Sequence, residues 1–162
     1  VVNEDGTIDT NKNNVLNRWR DDFKNLFTED SNFAIPDEQE NVHEQRDISA
    51  LNESITREEV TFAIISAKHR KATGIDDIPA EVSLKNDSAA ELLYTIISGC
   101  FDLGIVPSEW NRSIINPILK PNSNDDRNPL NYRGITLISV PCKIYCIILN
   151  ARLTKWLEDN NY

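Results

Sequence analysis

Apolar residues recur at helical spacing early in the chain. Val15, Leu16, Trp19, Phe23, Leu26 and Phe27 share a stripe from about Lys12 to Phe27, and Arg18, Asp21, Asp22 and Lys24 lie on other faces. This predicts an amphipathic helix whose stripe must dock. Residues 28–53 turn acidic and polar, carry Pro36 and hold no period, which predicts a linker or long loop. Thr56-Arg57-Glu58-Glu59 is a capping box, in which the Thr56 hydroxyl accepts from the Glu59 amide while Glu59 reaches back, and Ile55 with Val60 forms the hydrophobic staple. Val60, Ala63, Ile64 and Ala67 give this second helix a buried face. It ends near Lys68-His69-Arg70-Lys71, where cations complement the negative helix terminus, and Gly74 closes it or the loop after it.

Pro79 predicts a short helix running to about Leu84, capped by Asp76 or Asp77. Ser88-Ala89-Ala90-Glu91 reads as another capping box, opening a helix whose Leu92, Leu93, Ile96, Ile97, Cys100 and Phe101 are mostly core and which stops at Gly104. Pro107, Ser108 and Trp110 lead into a strand over Ser113 to Leu119. A second extended segment, Arg133 to Ile138, can pair with it as an antiparallel finger with the Pro121 to Leu130 loop at its tip. A last helix is expected from Pro141 to Glu158, with Ile144, Ile148, Ala151 and Leu153 as inward candidates. The fold class is α+β and helix-rich, with an acidic N-terminal segment over residues 1–54 and the main domain over 55–162; no internal repeat is visible.

The chain has 162 residues, 40% of them hydrophobic and 27% charged, enough for one soluble domain with a core. It contains no methionine and begins Val1-Val2-Asn3, from which we expect an excerpt of a larger reading frame. The net charge of −9 is unusual for a nucleic-acid binder, but it is unevenly placed. Residues 1–60 carry fifteen acidic and six basic side chains, whereas residues 61–162 carry eleven of each. The later region is neutral overall, which permits a local basic face. Cys100, Cys142 and Cys146 form no CxxC pair and have no histidine at ligand spacing, since His43 and His69 are far off; no structural zinc site is expected. Cys142 and Cys146 read as small core residues of a reduced intracellular protein. No apolar run approaches the ~20 residues needed to span a bilayer and no signal segment opens the chain. The expected location is intracellular, in cytoplasm and nucleus, neither secreted nor in a membrane.

Lys120 and Arg133 stand at the two ends of the polar loop between the strands. A compact ammonium and a planar guanidinium delivered by neighbouring strands suit a polyphosphate, and spacing alone suits two solvated surface cations equally well. Three acidic doublets, Asp21-Asp22, Asp76-Asp77 and Asp125-Asp126, lack an aromatic residue two positions ahead with flanking strands, and no metal is assigned to them.

Trp110 to Lys120, the block Asn131-Tyr132-Arg133-Gly134-Ile135, and the helix through Lys143-Ile144-Tyr145 to Leu149-Asn150-Ala151-Arg152-Leu153 resemble the opening motifs of reverse transcriptases from LINE-type, non-LTR retrotransposons. Lys71-Ala72-Thr73-Gly74-Ile75-Asp76-Asp77-Ile78-Pro79-Ala80-Glu81 is similar to an extra N-terminal motif of that family and of group II intron enzymes. The likeness covers about residues 55–158, and more loosely the Trp19 helix, which is similar to the segment joining endonuclease and polymerase regions in such elements. It implies the fingers and first edge of the palm of a right-hand RNA-directed DNA polymerase, ending before the catalytic strands. The family's two divalent cations, Mg²⁺, would be held by aspartates outside this chain, so no catalytic or metal-binding residue is assigned and the piece alone is expected to be inactive. The resemblance implies Lys120 and Arg133 for the phosphates of the incoming dNTP, with Asn131 and Tyr132 as support for that turn. Lys68, Arg70, Lys71, Asp76, Arg112 and Lys143 are candidates for template contact. The implied partners are an RNA template, a DNA primer, dNTP and the rest of the polymerase domain. The rival reading is a non-catalytic helical interaction module, or a degenerate or host-adopted remnant, docking through the Trp19 stripe.

Overall fold

Asn11 opens the first helix by accepting from the backbone N–H groups of Asn13 and Asn14, and the stripe that follows runs as α1 over Lys12–Phe27. A computed structural model describes residues 1–3, 5–28, 47–68, 70–123 and 125–162 of the chain. Most of the expected linker over 28–53 lies outside the described residues, as does His69. The other elements are α2 (Arg57–Ser66), α3 (Glu81–Leu84), α4 (Asp87–Leu103), β1 (Ile114–Leu119), β2 (Tyr132–Leu137) and α5 (Val140–Asp159), with single 3-10 turns at Ser49–Leu51, Ser108–Asn111 and Pro129–Asn131. Among the described residues the chain is helix-rich with one two-stranded sheet. Its residues form two compact units, one of 1–43 with 115–135 and one of 44–114 with 136–162.

In the first unit, α1 lays aromatic rings on the hairpin. Trp19 and Phe23 stack with centroids 5.7 Å apart, Phe23 and Phe27 follow at 6.2 Å, and Tyr132 meets Trp19 edge-on at 4.9 Å. Gly134 is required here, because a Cβ at that position would stand 2.7 Å from Cε1 of Phe23 and 3.0 Å from Cγ2 of Ile115. Lys120 N–H donates to the Asn131 carbonyl at 2.9 Å, so the end of β1 adjoins the start of β2 and the strands run antiparallel. That bond fixes the register: Lys120 faces Asn131, Ile118 faces Arg133 and Pro117 faces Gly134. Pro117 therefore falls at a non-hydrogen-bonded position, where its missing N–H costs the ladder nothing.

In the second unit, the capping box at Thr56 and Glu59 is fully formed, with Thr56 N–H to Glu59 Oε2 at 2.8 Å and Glu59 N–H to Thr56 Oγ1 at 3.2 Å. Val60, Ala63, Ile64 and Ala67 are buried, and they meet Leu93 and Ile97 of α4 and Val140, Ile144 and Ile148 of α5 in one core that Ile55 closes. Several local expectations change. The α2 helix ends at Ser66 with Ala67 extended, so Gly74 is not its left-handed cap; Gly74 is needed because a Cβ there would lie 2.5 Å from the Ser139 nitrogen and 2.6 Å from the Ile138 carbonyl carbon. The α3 helix begins at Glu81 behind Ala80 and has no side-chain cap. Asp76 and Asp77 turn inward to their own loop instead, accepting from Ile78 N–H and from the Thr73 hydroxyl, each at 3.3 Å. The Ser88 to Glu91 box is absent, because Asn86 caps α4 by accepting from Ser88 and Ala89, and Glu91 pairs with Arg57 at 2.6 Å. Gly104 does close α4, at φ 65°. Of the apolar residues expected in the α4 core, Leu92 and Ile96 are exposed, as are Ala151, Leu153 and Cys146 on α5; packing on one side only leaves these at the solvent face.

Candidate functional site

The hairpin carries the first set of candidate residues. Ile115 and Pro117 face α1, as Gly134 does, so the alternation of the pleat sends Ile118 and Arg133 to the other face. Lys120, one pleat beyond Ile118, continues that face just past the end of β1. In the register set by Asn131, Lys120 and Arg133 are diagonal neighbours, a relationship that spans roughly 7–8 Å in an antiparallel sheet. The two cations thus share one face at the loop end of the hairpin. Lys120 Nζ lies back on the loop, donating to the Leu130 carbonyl at 2.8 Å. Arg133 is exposed, and no hydrogen bond or ion pair holds its guanidinium among the described residues.

Asn131 and Tyr132 tie the loop to the strand. Asn131 Nδ2 donates to the Asp125 carbonyl at 2.6 Å, and the Tyr132 hydroxyl donates to the Asp126 carbonyl at 2.8 Å. Asp125 is engaged by Arg127 at 2.8 Å, which together with the Arg127 amide holds its carboxyl below the usual range. The Asp125 carboxylate is therefore neutralised within the loop, while Asp126 beside it is exposed. The acidic doublet of α1 is likewise paired, Asp22 with Arg18 at 2.7 Å and Asp21 with Arg20 at 3.0 Å. No cluster of three or more His, Cys, Asp or Glu with metal-holding geometry occurs among the described residues.

The second set of candidates lies in the other unit. Lys68, Lys71 and Lys143, three of the candidates for template contact, line a single cleft of about 230 Å³ together with Thr136 and an apolar floor. Arg70 does not line it; its N–H donates to Glu81 Oε1 at 2.7 Å, with the residue held at φ 52°. Arg112 is exposed just ahead of β1 and Asp76 is exposed in its loop.

Arg152, which carries no assigned role in the sequence reading, proves to be the most heavily bonded cation among the described residues. Its Nε and Nη2 meet Glu59 Oε1 and Oε2 at 2.6 and 2.8 Å, Nη2 also reaches the Ser54 carbonyl at 3.1 Å, and Nη1 reaches the carbonyls of Leu51, at 3.4 Å, and Glu53. The Arg152 guanidinium, helped by the Thr56 amide, holds the Glu59 carboxyl below its ordinary value against the effect of partial burial. The signal was available: Val140, Ile144, Ile148 and Arg152 recur every fourth residue, so the buried stripe of α5 runs into a charge that must find a partner.

No protein-family model matches the chain. It is 30% identical over 102 residues, 62% of its length, to the 115 kDa protein in type-1 retrotransposable element R1DM of Drosophila melanogaster. It is 26% identical over 163 aligned positions, 96% of its length, to the 149 kDa protein of transposon TX1 of Xenopus laevis. The chain spans only 10% and 12% of those two proteins. These similarities support a retrotransposon-related origin. No helix among the described residues is long and apolar enough to cross a membrane.

Proposed function

We propose that this chain is the fingers part of an RNA-directed DNA polymerase of a non-LTR retrotransposon. In this reading the hairpin carries Lys120 and Arg133 to the phosphates of the incoming nucleotide, and the Lys68, Lys71 and Lys143 face meets the template. The observation that carries it is the hairpin register, by which two cations thirteen positions apart in the chain become diagonal neighbours on one face, with the nearby Asp125 already neutralised. A fork and a point charge side by side can share the oxygens of a triphosphate. The Lys120 to Leu130 bond keeps the ammonium at the loop tip until a stronger acceptor arrives. The two Mg²⁺ ions of such a polymerase would be held by aspartates supplied from outside this chain, and this chain's part is to bind and orient.

The experiment is steady-state kinetics on the longer polymerase that carries this segment, with Lys120→Ala and Arg133→Ala. Each should raise the nucleotide KM about tenfold, the equivalent of ~1.4 kcal/mol, while the Kd for template and primer changes little. Unchanged nucleotide KM in both variants would overturn the assignment.

A second reading, a non-catalytic interaction module, draws support from the groove of about 530 Å³ lined by Trp19, Phe23, Phe27, Ile115 and Pro117. Pull-down of an apolar partner by the chain, lost in Phe27→Ser and coupled with unchanged nucleotide kinetics, would favour it.

A further inference from the structure

Tyr132 and Gly134 alternate with Arg133 along β2, so Tyr132 points to the α1 face of the hairpin and Arg133 to the opposite one. The helix therefore packs behind the strand that presents the guanidinium. Tyr132 is held at both ends. Its ring meets the half-buried Trp19 edge-on, with centroids 4.9 Å apart and planes inclined at 68°, and its hydroxyl donates to the Asp126 carbonyl at 2.8 Å. Asn131, the residue before it, donates through Nδ2 to the Asp125 carbonyl at 2.6 Å. Two successive carbonyls of the loop are thus fastened to the start of β2. The far side of the loop is fastened to the same helix: α1 packs against the turn Pro129–Asn131, in which Pro129 is fully buried and the Leu130 carbonyl accepts from Lys120 Nζ at 2.8 Å. Trp19 is itself fixed from behind by Phe23, stacked on it at 5.7 Å and closed down on Gly134.

We propose that Trp19 is a positioning residue for nucleotide binding. Through the Tyr132 ring it sets where the loop end of β2 lies, and with it the spacing between Arg133, the next residue on that strand, and Lys120, held on the Leu130 carbonyl. Two cations that grip one triphosphate lose their joint hold when either is displaced by about 1 Å, so the back of the hairpin governs the front. This role rests on the polymerase reading and extends its nucleotide site to a helix residue 113 positions before Tyr132. On this account α1 is part of the site and not only a tether to what precedes it.

Steady-state extension by the longer polymerase that carries this segment reads the constants separately. Trp19→Leu keeps the stripe apolar and removes the ring contact. It should raise the nucleotide KM about fivefold, within the range set by loss of one aromatic pair, with kcat within about twofold of the parent and the Kd for template and primer unchanged. Trp19→Phe restores a ring and should bring the KM back to within about twofold of the parent. Tyr132→Phe deletes only the hydroxyl and should raise the KM about threefold. Combined with Trp19→Leu it should have a less than multiplicative effect, because both changes act on one link. Leu16→Ala, exposed on the same helix, should leave the KM at the parental value. If Trp19→Leu does not yield folded enzyme, Trp19→Met, nearer in volume and also without a ring, takes its place with the same expectations.

A parental KM in the ringless variant, no recovery in Trp19→Phe, or fully multiplicative effects at Trp19 and Tyr132 would overturn the positioning role. So would an equal rise in Leu16→Ala, which would reduce the effect to the stability of α1. Lys120→Ala and Arg133→Ala are measured alongside. A raised KM in those two with a parental KM in Trp19→Leu removes the role of Trp19 alone, whereas a parental KM in both cation variants removes the phosphate assignment and this role with it.

Discussion

Arg152 of α5 and Glu59 of α2 form a two-bonded pair at 2.6 and 2.8 Å in which the carboxylate is used twice, because Glu59 Oε2 also accepts the Thr56 N–H that opens its own helix. One guanidinium thereby joins the capping box of α2 to α5 and to the carbonyls of Leu51, Glu53 and Ser54 ahead of it. Withdrawing such a pair from water is expensive, and the expense is met only when nearly every donor finds an acceptor.

Removing one member leaves the other half-buried and unmatched. Arg152→Ala should destabilise the chain by about 2–4 kcal/mol in urea unfolding, and Arg152→Lys should recover less than half of that, since an ammonium cannot fork across two oxygens. A loss under about 0.5 kcal/mol for Arg152→Ala would mean that solvent already screens the pair.

The pair also sets an acid limit. Because the Glu59 carboxyl is lowered from 4.5 in the folded chain, its contribution is fully present above that value and is lost as the pH falls through the lower folded value. The stability gap between the parent chain and Glu59→Gln should therefore stay constant from about pH 7 to 5 and close below 4.5. A gap that persists unchanged to the acid end of the titration would remove Arg152 as the cause of the shift.

What could be read from the sequence was whatever neighbours along the chain decide. The α1 span, the Thr56 to Glu59 box and the Gly104 stop depend on residues within one or two turns of each other, and each was legible. The strand limits lay within one residue. The Ser88 to Glu91 pattern failed because Asn86, two residues earlier, took the Ser88 amide and Arg57, 34 positions away, took the Glu91 carboxylate. Leu92 and Ile96 could not be placed because the face of α4 that is buried is chosen by α2 and α5. For the candidate site, residue types were readable but their convergence was not: the diagonal relation of Lys120 to Arg133 requires the Asn131 register, and the meeting of Lys68, Lys71 and Lys143 requires the tertiary fold.

Gly74 marks a close approach rather than a turn of unusual handedness. A methyl group there meets backbone atoms of Ile138 and Ser139, which cannot step aside as a flexible side chain could. Gly74→Ala should cost about 1–3 kcal/mol by urea unfolding, the range for overpacking, whereas Gly99→Ala, in open space within α4, should be neutral or slightly stabilising. Equal effects at the two positions would show that the 138–139 backbone yields.

The cap of α4 separates two accounts of the same sequence. Asn86→Ala removes the acceptor for two amides and should cost about 1 kcal/mol, while Ser88→Ala should cost no more than a few tenths. The reverse order in thermal unfolding would restore Ser88 as the cap.

The cysteines of α5 differ in reach although they lie one turn apart. Cys146 is exposed, whereas burial, with the neighbouring Cys146 thiol, pushes Cys142 up to about 11. Thiolate is the reacting species, so at pH 8 Cys142 holds only about one part in a thousand in the reactive form. Cys100 is buried and its thiol is raised by that burial. Iodoacetamide at pH 8 should therefore label Cys146 first, with Cys142 and Cys100 following only as the chain opens, and peptide mass spectrometry over a time course reads the order directly. Global unfolding in urea should bring the three rates together. Native-state labelling of Cys142 as fast as Cys146 would show that this turn of α5 is open to solvent on both sides.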